Sequence, residues 1–249
     1  MKKFLLLIIL FLAGLSNSYS QEFIQQDGYI SHDSMMVSVS AGYGLTSESG
    51  INDYYNYLIN EYSDNETVFN SNSTFGNSIL LNAQFLFTSV NPPIWMGISA
   101  GYLYTSASSS FLNNYGNVSL DGSISSLYIS FLTHFVLSDI SGKQFYLTVK
   151  PGLSNYLDVI NLGINDKNGS KIYSSKSELY IWSPSIQFGI GLSIPLSKYF
   201  VSFEADYLIT NIGDKPFNVN DSNGNSYTDG EGNCDQSGLL LQAFLGLGI

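Results

Sequence analysis

The sequence predicts an all-β fold: a transmembrane antiparallel up-and-down β-barrel with long extracellular loops and short periplasmic turns. Three observations predict it. Segments of about ten residues alternate apolar and polar side chains with the two-residue period of a strand. Their second face is mostly Gly, Ser and Gln, where a water-facing sheet would carry Lys and Glu. Charged residues are 12% of the chain against 18 Tyr and 16 Phe, a balance that suits a wall facing lipid and its interfaces.

The most informative stretch is the hairpin from Gly189 to Ile209. Before its turn, Phe188, Ile190, Leu192 and Ile194 alternate with Gln187, Gly189, Gly191 and Ser193; after it, Val201, Phe203, Ala205 and Tyr207 alternate with Ser202, Glu204 and Asp206. Pro195 to Lys198 is too short for a crossover, so the two arms pair antiparallel. The apolar side is assigned to lipid and the small polar side to the lumen.

From the start of the chain, Met1 to Ser20 reads as a secretory signal: Lys2 and Lys3, an apolar run from Phe4 to Leu15 too short to span a bilayer, and Ser18 and Ser20 ahead of a cut before Gln21. The chain then divides into a signal peptide, residues 1–20, and an outer-membrane barrel domain, residues 21–249, with Gln21 to Asp33 as a periplasmic lead-in. The first strand sets Met35, Val37, Val39, Ala41, Tyr43 and Leu45 against Met36, Ser38, Ser40, Gly42 and Gly44. Thr46 to Gly76 is a large Asn-rich loop in which Ile51 to Tyr62 can form a helical turn or two.

The second strand presents Ile79, Leu81, Ala83, Phe85 and Phe87 outward and ends at Asn91-Pro92-Pro93, where two prolines stop the ladder. The third presents Met96, Ile98, Ala100, Tyr102 and Tyr104, followed by a polar loop from Ser106 to Gly122. The fourth sets Leu127, Ile129, Phe131, Thr133 and Phe135 against Ser126, Tyr128, Ser130, Leu132 and His134, and Ser138 to Lys143 is again a short turn. The fifth has Phe145, Leu147, Val149 and Pro151 outward and Tyr146, Thr148, Lys150 and Gly152 inward.

Asn155 to Glu178 is the third long loop, with Asp166-Lys-Asn-Gly169 as the turn of a protruding hairpin. The sixth strand begins near Tyr180 and leads into the hairpin above. Asn211 to Gln236 is a fourth loop, and the last strand runs from Gly238 to Ile249. Long and short connections alternate throughout, which gives eight strands; counting the hairpin near Asn168 as a further pair would give ten. Outward Tyr43, Tyr102, Tyr104, Tyr180, Trp182 and Tyr207 mark one aromatic girdle at the loop ends, and Phe87, Phe135, Phe145 and Tyr199 mark another at the turn ends.

Three stretches carry a resemblance: Leu127-Tyr-Ile-Ser-Phe-Leu132, Gly189-Ile-Gly-Leu-Ser-Ile-Pro195 and Phe203-Glu-Ala-Asp-Tyr-Leu-Ile-Thr-Asn-Ile212. Through them the chain resembles the small porin-family, PorT-like outer-membrane β-barrel proteins of Gram-negative bacteria. It departs from them at Ser130, where such barrels often have Pro, and at Ile249, where many end in an aromatic residue. The resemblance implies a fold and a location in the cell outer membrane, and brings no shared catalytic residues.

Within the strands read above, three residues are charged, Lys150, Glu204 and Asp206, all of inward parity and similar height. With His134, and with Tyr146 and Tyr128 nearby, they are expected to form a polar network in the lumen, which in a small barrel is filled by side chains. No catalytic set is readable: His32 and His134 lack Ser and carboxylate neighbours in any motif, so the chain is not read as an enzyme. Cys234 is the lone cysteine, in a polar loop without partner ligands. No cofactor or metal site is assigned. Asp221-Ser-Asn-Gly-Asn225 loosely resembles a calcium loop but has Ser226 and Gly232 where that loop needs Gly and Glu; divalent cations stay open as partners of the acidic loops.

With 9 basic residues, all Lys, against 20 acidic ones, the chain is no nucleic-acid binder. The expected partners are outer-membrane lipid and an extracellular ligand or protein met by the loops. The reading is a non-enzymatic barrel presenting acidic loops for binding, adhesion or envelope integrity. The alternatives are a narrow or gated pore for small solutes and a secreted, soluble lipocalin-like binding barrel.

Overall fold

The structure is a computed structural model and describes residues 35–47, 49–64, 67–89, 94–114, 116–140, 143–210, 213–233 and 236–248. The expected signal peptide and lead-in, His32, the Asn91 to Pro93 turn, Cys234 and Ile249 fall outside these residues. The elements in chain order are β1 (Met35–Ser47), α1 (Ser49–Tyr62), β2 (Val68–Ser71), β3 (Ser78–Ser89), β4 (Ile94–Leu112), β5 (Asn117–Ile140), β6 (Lys143–Asn165), β7 (Lys171–Leu196), β8 (Tyr199–Thr210), β9 (Asp214–Asp221), β10 (Ser226–Asn233) and β11 (Ser237–Gly248).

Among the described residues, eight strands close into a ring in the order β7-β6-β5-β4-β3-β1-β11-β8, because β8 pairs back onto β7. Every pairing in the ring is antiparallel, as short turns require. The β9–β10 hairpin joins only the upper part of β7, and β2 only the tip of β4, so neither adds to the ring. The count is eight and not ten.

Burial follows the alternation. Along β4 every second residue from Trp95 to Phe111 is buried, and the residues between face out. The outward set is apolar and exposed: Ile98 59%, Ile129 52%, Ile190 62% and Leu245 58%. Water would penalise so wide an apolar belt, and lipid does not. All ten girdle aromatics, from Tyr43 to Tyr207, are exposed on this wall. The molecule is a transmembrane barrel of the outer-membrane type, placed in the cell outer membrane by that belt.

Three loop expectations are corrected. Ser106 to Gly122 is not a loop: β4 runs on to Leu112 and β5 starts at Asn117. Asn155 to Glu178 is likewise strand, with only a turn between Asn165 and Lys171. Asn211 to Gln236 contains the β9–β10 hairpin. The physical reason is common to all three. Crossing the bilayer takes about ten tilted residues, and β7 has 26, so its upper half stands in water. There the outward face turns polar, as at Ser106 and Ser108, and loses the contrast that marks a membrane strand. The helical turn or two expected within the first loop is a helix of 14 residues.

The extended ends of β4 to β7, with β9, β10 and α1, enclose their own apolar core outside the barrel. Ile51, Tyr54, Tyr55, Leu58 and Ile59 of α1 pack against Phe111, Val118, Leu120, Leu162 and Phe217. The stripe has the spacing of one helical face. Tyr54 stacks on Phe217 with centroids 4.2 Å apart, and the Tyr55 hydroxyl donates to the Leu120 carbonyl at 2.9 Å. Asn52 ties the helix to the loop before β3, donating to the Phe75 carbonyl at 3.1 Å and accepting from its N–H at 2.9 Å. Two hairpin tips use the same Asp-x-Asn-Gly turn: the Asp166 carboxylate accepts from the amides of Asn168 and Ser170, and that of Asp221 from Asn223 and Asn225. Gly169 and Gly224 take the positive φ (85° and 84°) that such turns need.

Candidate functional site: a stratified lumen under an outer lobe

The antiparallel register sets the heights of the lumenal side chains. Gly191 is opposite both Tyr146 and Glu204, and Glu204 is opposite Gln242. These inward positions therefore form one row around the wall. The Lys150 ammonium donates to Glu204 Oε2 at 2.6 Å and to Asp206 Oδ2 at 2.7 Å, and all three residues are buried. The Tyr146 hydroxyl donates to Glu204 Oε1 at 3.0 Å, and His134 Nε2 is 3.3 Å from the same oxygen, its ring stacked on Tyr146. On the other side Gln242 Nε2 donates to Asp206 Oδ2 at 2.8 Å while its Oε1 accepts from Ser40 and Asn82; Ser99 in turn donates to Asn82.

One ammonium thus lies between two carboxylates; Tyr146 and Gln84 also donate to Glu204 and Gln242 to Asp206 Oδ2, while Asp206 Oδ1 is buried without a hydrogen-bond partner. The chain of bonds crosses the lumen from β4 through β3, β11 and β8 to β6. Among the residues expected to meet, the structure brings Lys150, Glu204, Asp206 and His134 together with Tyr146. It places Tyr128 elsewhere, one layer higher, because the ring lies over Gly101 on the next strand.

Apolar layers close the lumen on both sides of this ionic layer. Toward the short turns Met36, Leu86, Trp95, Leu132 and Phe200 pack together, and toward the long loops Leu80, Leu103, Tyr128, Leu208 and Leu240 do so. A cavity of about 10 Å³ beside His134 and Glu204 has room for at most one water, and a wide apolar hollow of about 720 Å³ along the wall, lined by Phe145, Ile190 and Phe203, also reaches Tyr146, Glu204 and Gln242. Sequence reasoning passed over these layers. Their signal was the inward parity of Leu80, Leu86, Leu132 and Leu240, large residues on a face otherwise made of Gly and Ser.

Glycines make the packing possible. A Cβ at Gly191 would run into the Tyr146 ring, which lies directly across β6 and β7. Gly191→Val is expected to push Tyr146 off Glu204 and destabilise the barrel by about 1–3 kcal/mol, seen as a lower urea midpoint for the heat-modifiable band on a gel; an unchanged midpoint would show that the ring has other room.

Above the barrel, outside the membrane, tyrosines gather at the crest of the outer lobe. The Tyr54 hydroxyl is 3.3 Å from Ser177 Oγ and 3.4 Å from Asp229 Oδ2. Burial, then the neighbouring carboxylates, pushes the phenols up: Tyr62 reaches about 12 through burial and Glu61. Hydrogen bonds raise Tyr57 and Tyr227, the first to Glu61 and the second to Tyr173. The carboxylate of Asp221 in the loosely calcium-like segment is occupied by its own turn, also accepting from Asn225 Nδ2 at 2.9 Å. Among the described residues no three His, Cys, Asp or Glu side chains converge as a metal-binding group.

No protein-family model matches the sequence, and no curated protein matches it. Solved structures similar to the chain include a major outer membrane protein of Thermus thermophilus, with 12% identity, a TM-score of 0.45, and 86% of this chain and 99% of that one covered. The outer membrane protein OprG of Pseudomonas aeruginosa has 11% identity and a TM-score of 0.43, covering 88% and 96%. Ail, the attachment invasion locus protein of Yersinia pestis, in complex with the heparin analogue sucrose octasulfate, has 11% identity and a TM-score of 0.40, covering 88% and 100%.

Proposed function

We propose that this protein is a sealed, non-enzymatic outer-membrane barrel of the small PorT-like kind whose working part is the folded lobe it holds outside the membrane. The observation that carries the proposal is the lumen's stratification: an ionic layer between two layers of packed apolar side chains. A conduit would need a continuous polar path, and each apolar layer interrupts it. What the barrel then offers the cell is an anchor, and what it presents is an acidic, tyrosine-rich lobe suited to binding, adhesion or envelope integrity. A divalent cation at the outer loops is the weaker reading, since Asp221 is committed to its turn.

Planar-bilayer recording tests the proposal. The purified barrel should show no steady conductance, and neither should it pass small sugars into vesicles. Steady conductance abolished by Lys150→Met or Glu204→Gln would instead establish a pore through the ionic layer.

A further inference from the structure

The lipid-facing wall is not evenly convex. The apolar hollow of about 720 Å³ lies on it and crosses β6, β7, β8, β11 and β1. The register shows its course: Phe145 pairs with Leu192, Leu192 with Phe203, Phe203 with Ala243, and Ala243 with Ala41. These outward residues form one row, which climbs away from the short turns. Phe145 stands two residues past the start of β6 at Lys143, Phe203 four past the start of β8 at Tyr199, and Ala41 six past the start of β1 at Met35. Four interstrand steps of about 4.8 Å give a furrow about 19 Å long. A strand tilt of about 40° makes it rise about 12 Å. The hydrocarbon core is about 30 Å thick, so the furrow stays within one leaflet, the one on the side of the short turns.

Small side chains open the furrow and large ones wall it. Ala41, Ala205 and Ala243 all line it, beside the exposed Phe203, Ile190 and Leu241. The wall of another barrel is convex and stiff, and would meet an oblique furrow only at its rims. An acyl chain is thin and flexible and touches the furrow along its whole length. In a solvent of lipid tails, that packing is what sets one site apart from the rest of the wall. The furrow is continuous with the lipid-facing belt, so its occupant comes from the bilayer.

The lower end of the furrow is basic. Lys143 lies two residues below Phe145 on the same outward face of β6, and Lys198 lies in the β7–β8 turn; both are exposed. The Lys198 ammonium is 5.3 Å from the ring centre of Tyr199, a girdle residue. The turns Ser138 to Lys143 and Pro195 to Lys198 hold these two lysines against one acid, Asp139, in a chain whose net charge is −11. Lipid phosphates lie at this height, and lysines at a membrane surface bind them.

We propose that the furrow is a binding site for one phospholipid of the turn-side leaflet. One acyl chain lies along Ala205, Ala243 and Ala41, and Lys143 and Lys198 hold the phosphate. The site is separate from the lobe and is independent of whether the lumen conducts.

Native mass spectrometry of the full-length protein in detergent, titrated with palmitoyl-oleoyl phosphatidylglycerol, tests this. One lipid should stay on each barrel once the detergent is stripped. Ala205→Phe with Ala243→Phe fills the furrow and should weaken retention about tenfold. Ala100→Phe, on the outward face of β4 away from the furrow, should stay within about twofold of the parent. Lys143→Gln with Lys198→Gln should weaken retention about tenfold. The diacylglycerol with the same chains, which has no phosphate, should bind the parent and this lysine variant alike. The lysine variant changes only exposed turn residues, so it decides the question even if the Phe pair does not fold.

No lipid retained by the parent, retention unchanged in the Phe pair or in the lysine variant, or a loss as large in Ala100→Phe overturns the proposal. A dimeric parent that the Phe pair splits into monomers overturns it as well, because the furrow then seats a second copy of the chain.

Discussion

Lys150→Met is expected to destabilise the barrel by about 3–5 kcal/mol, because it leaves two buried carboxylates without their shared cation. Glu204 and Asp206 lie within 2.7 Å of the Lys150 ammonium, and all three are enclosed by the apolar layers above and below. The packed layers on either side leave little room for water to replace the lost partner. The readout is the urea midpoint of the heat-modifiable band, which should drop sharply or vanish. The triple variant Lys150→Met, Glu204→Gln, Asp206→Leu removes all three charges at once and should recover most of the loss, since neutral packing replaces a buried ionic group at little cost. A single variant as stable as the parent would mean that water reaches the layer.

Tyr55→Ala is expected to open the outer lobe while leaving the barrel closed. Tyr55 is fully buried, packs edge-on against Phe75 and donates to the Leu120 carbonyl. Truncating such an aromatic side chain costs about 3–5 kcal/mol, more than a small appended lobe holds in reserve. Trypsin should then cut at Lys171, Lys176 or Lys215, all on the lobe strands. Heat-modifiability, which reports the barrel alone, should persist. Loss of both together would show that lobe and barrel fold as a single unit.

The barrel was legible in the sequence because lipid imposes contrast. Along β1, β3, β8, β11 and the start of β6 one face must be apolar and the other must fit a narrow lumen, so parity alone assigned Lys150, Glu204 and Asp206 to the inside. The Asp166-Lys-Asn-Gly169 turn was readable for the separate reason that Asp and Gly each have a geometric role there. Above the bilayer the contrast fades. Thr105, Ala107 and Ser109 face the interior of β4 while Ser106, Ser108 and Ser110 face outward, and no scale separates those two sets. Such strands are fixed by their pairing with β5, which the sequence does not display.

The helix is a different case. Its apolar stripe, Ile51, Tyr54, Tyr55, Leu58 and Ile59, is periodic and was visible. What obscured it was the surrounding Asn-rich composition and the lack of charges suited to the helix ends. In the lumen, the large inward residues Leu80, Leu132 and Leu240 looked like exceptions to a small polar face. Only the register, which gathers them at two heights, shows them to be seals.

The sealed lumen is tested most directly by thiol labelling in a Cys234→Ser background. Ser99 lies in the ionic layer and is 1% exposed, while Ser106, on the same strand, faces outward in the lobe. A small charged methanethiosulfonate reagent should label Ser106→Cys at once in the native barrel and Ser99→Cys only after unfolding in hot detergent. Rapid labelling of Ser99→Cys in the native barrel, from either side of a vesicle, would contradict the seal and turn the protein into a conduit.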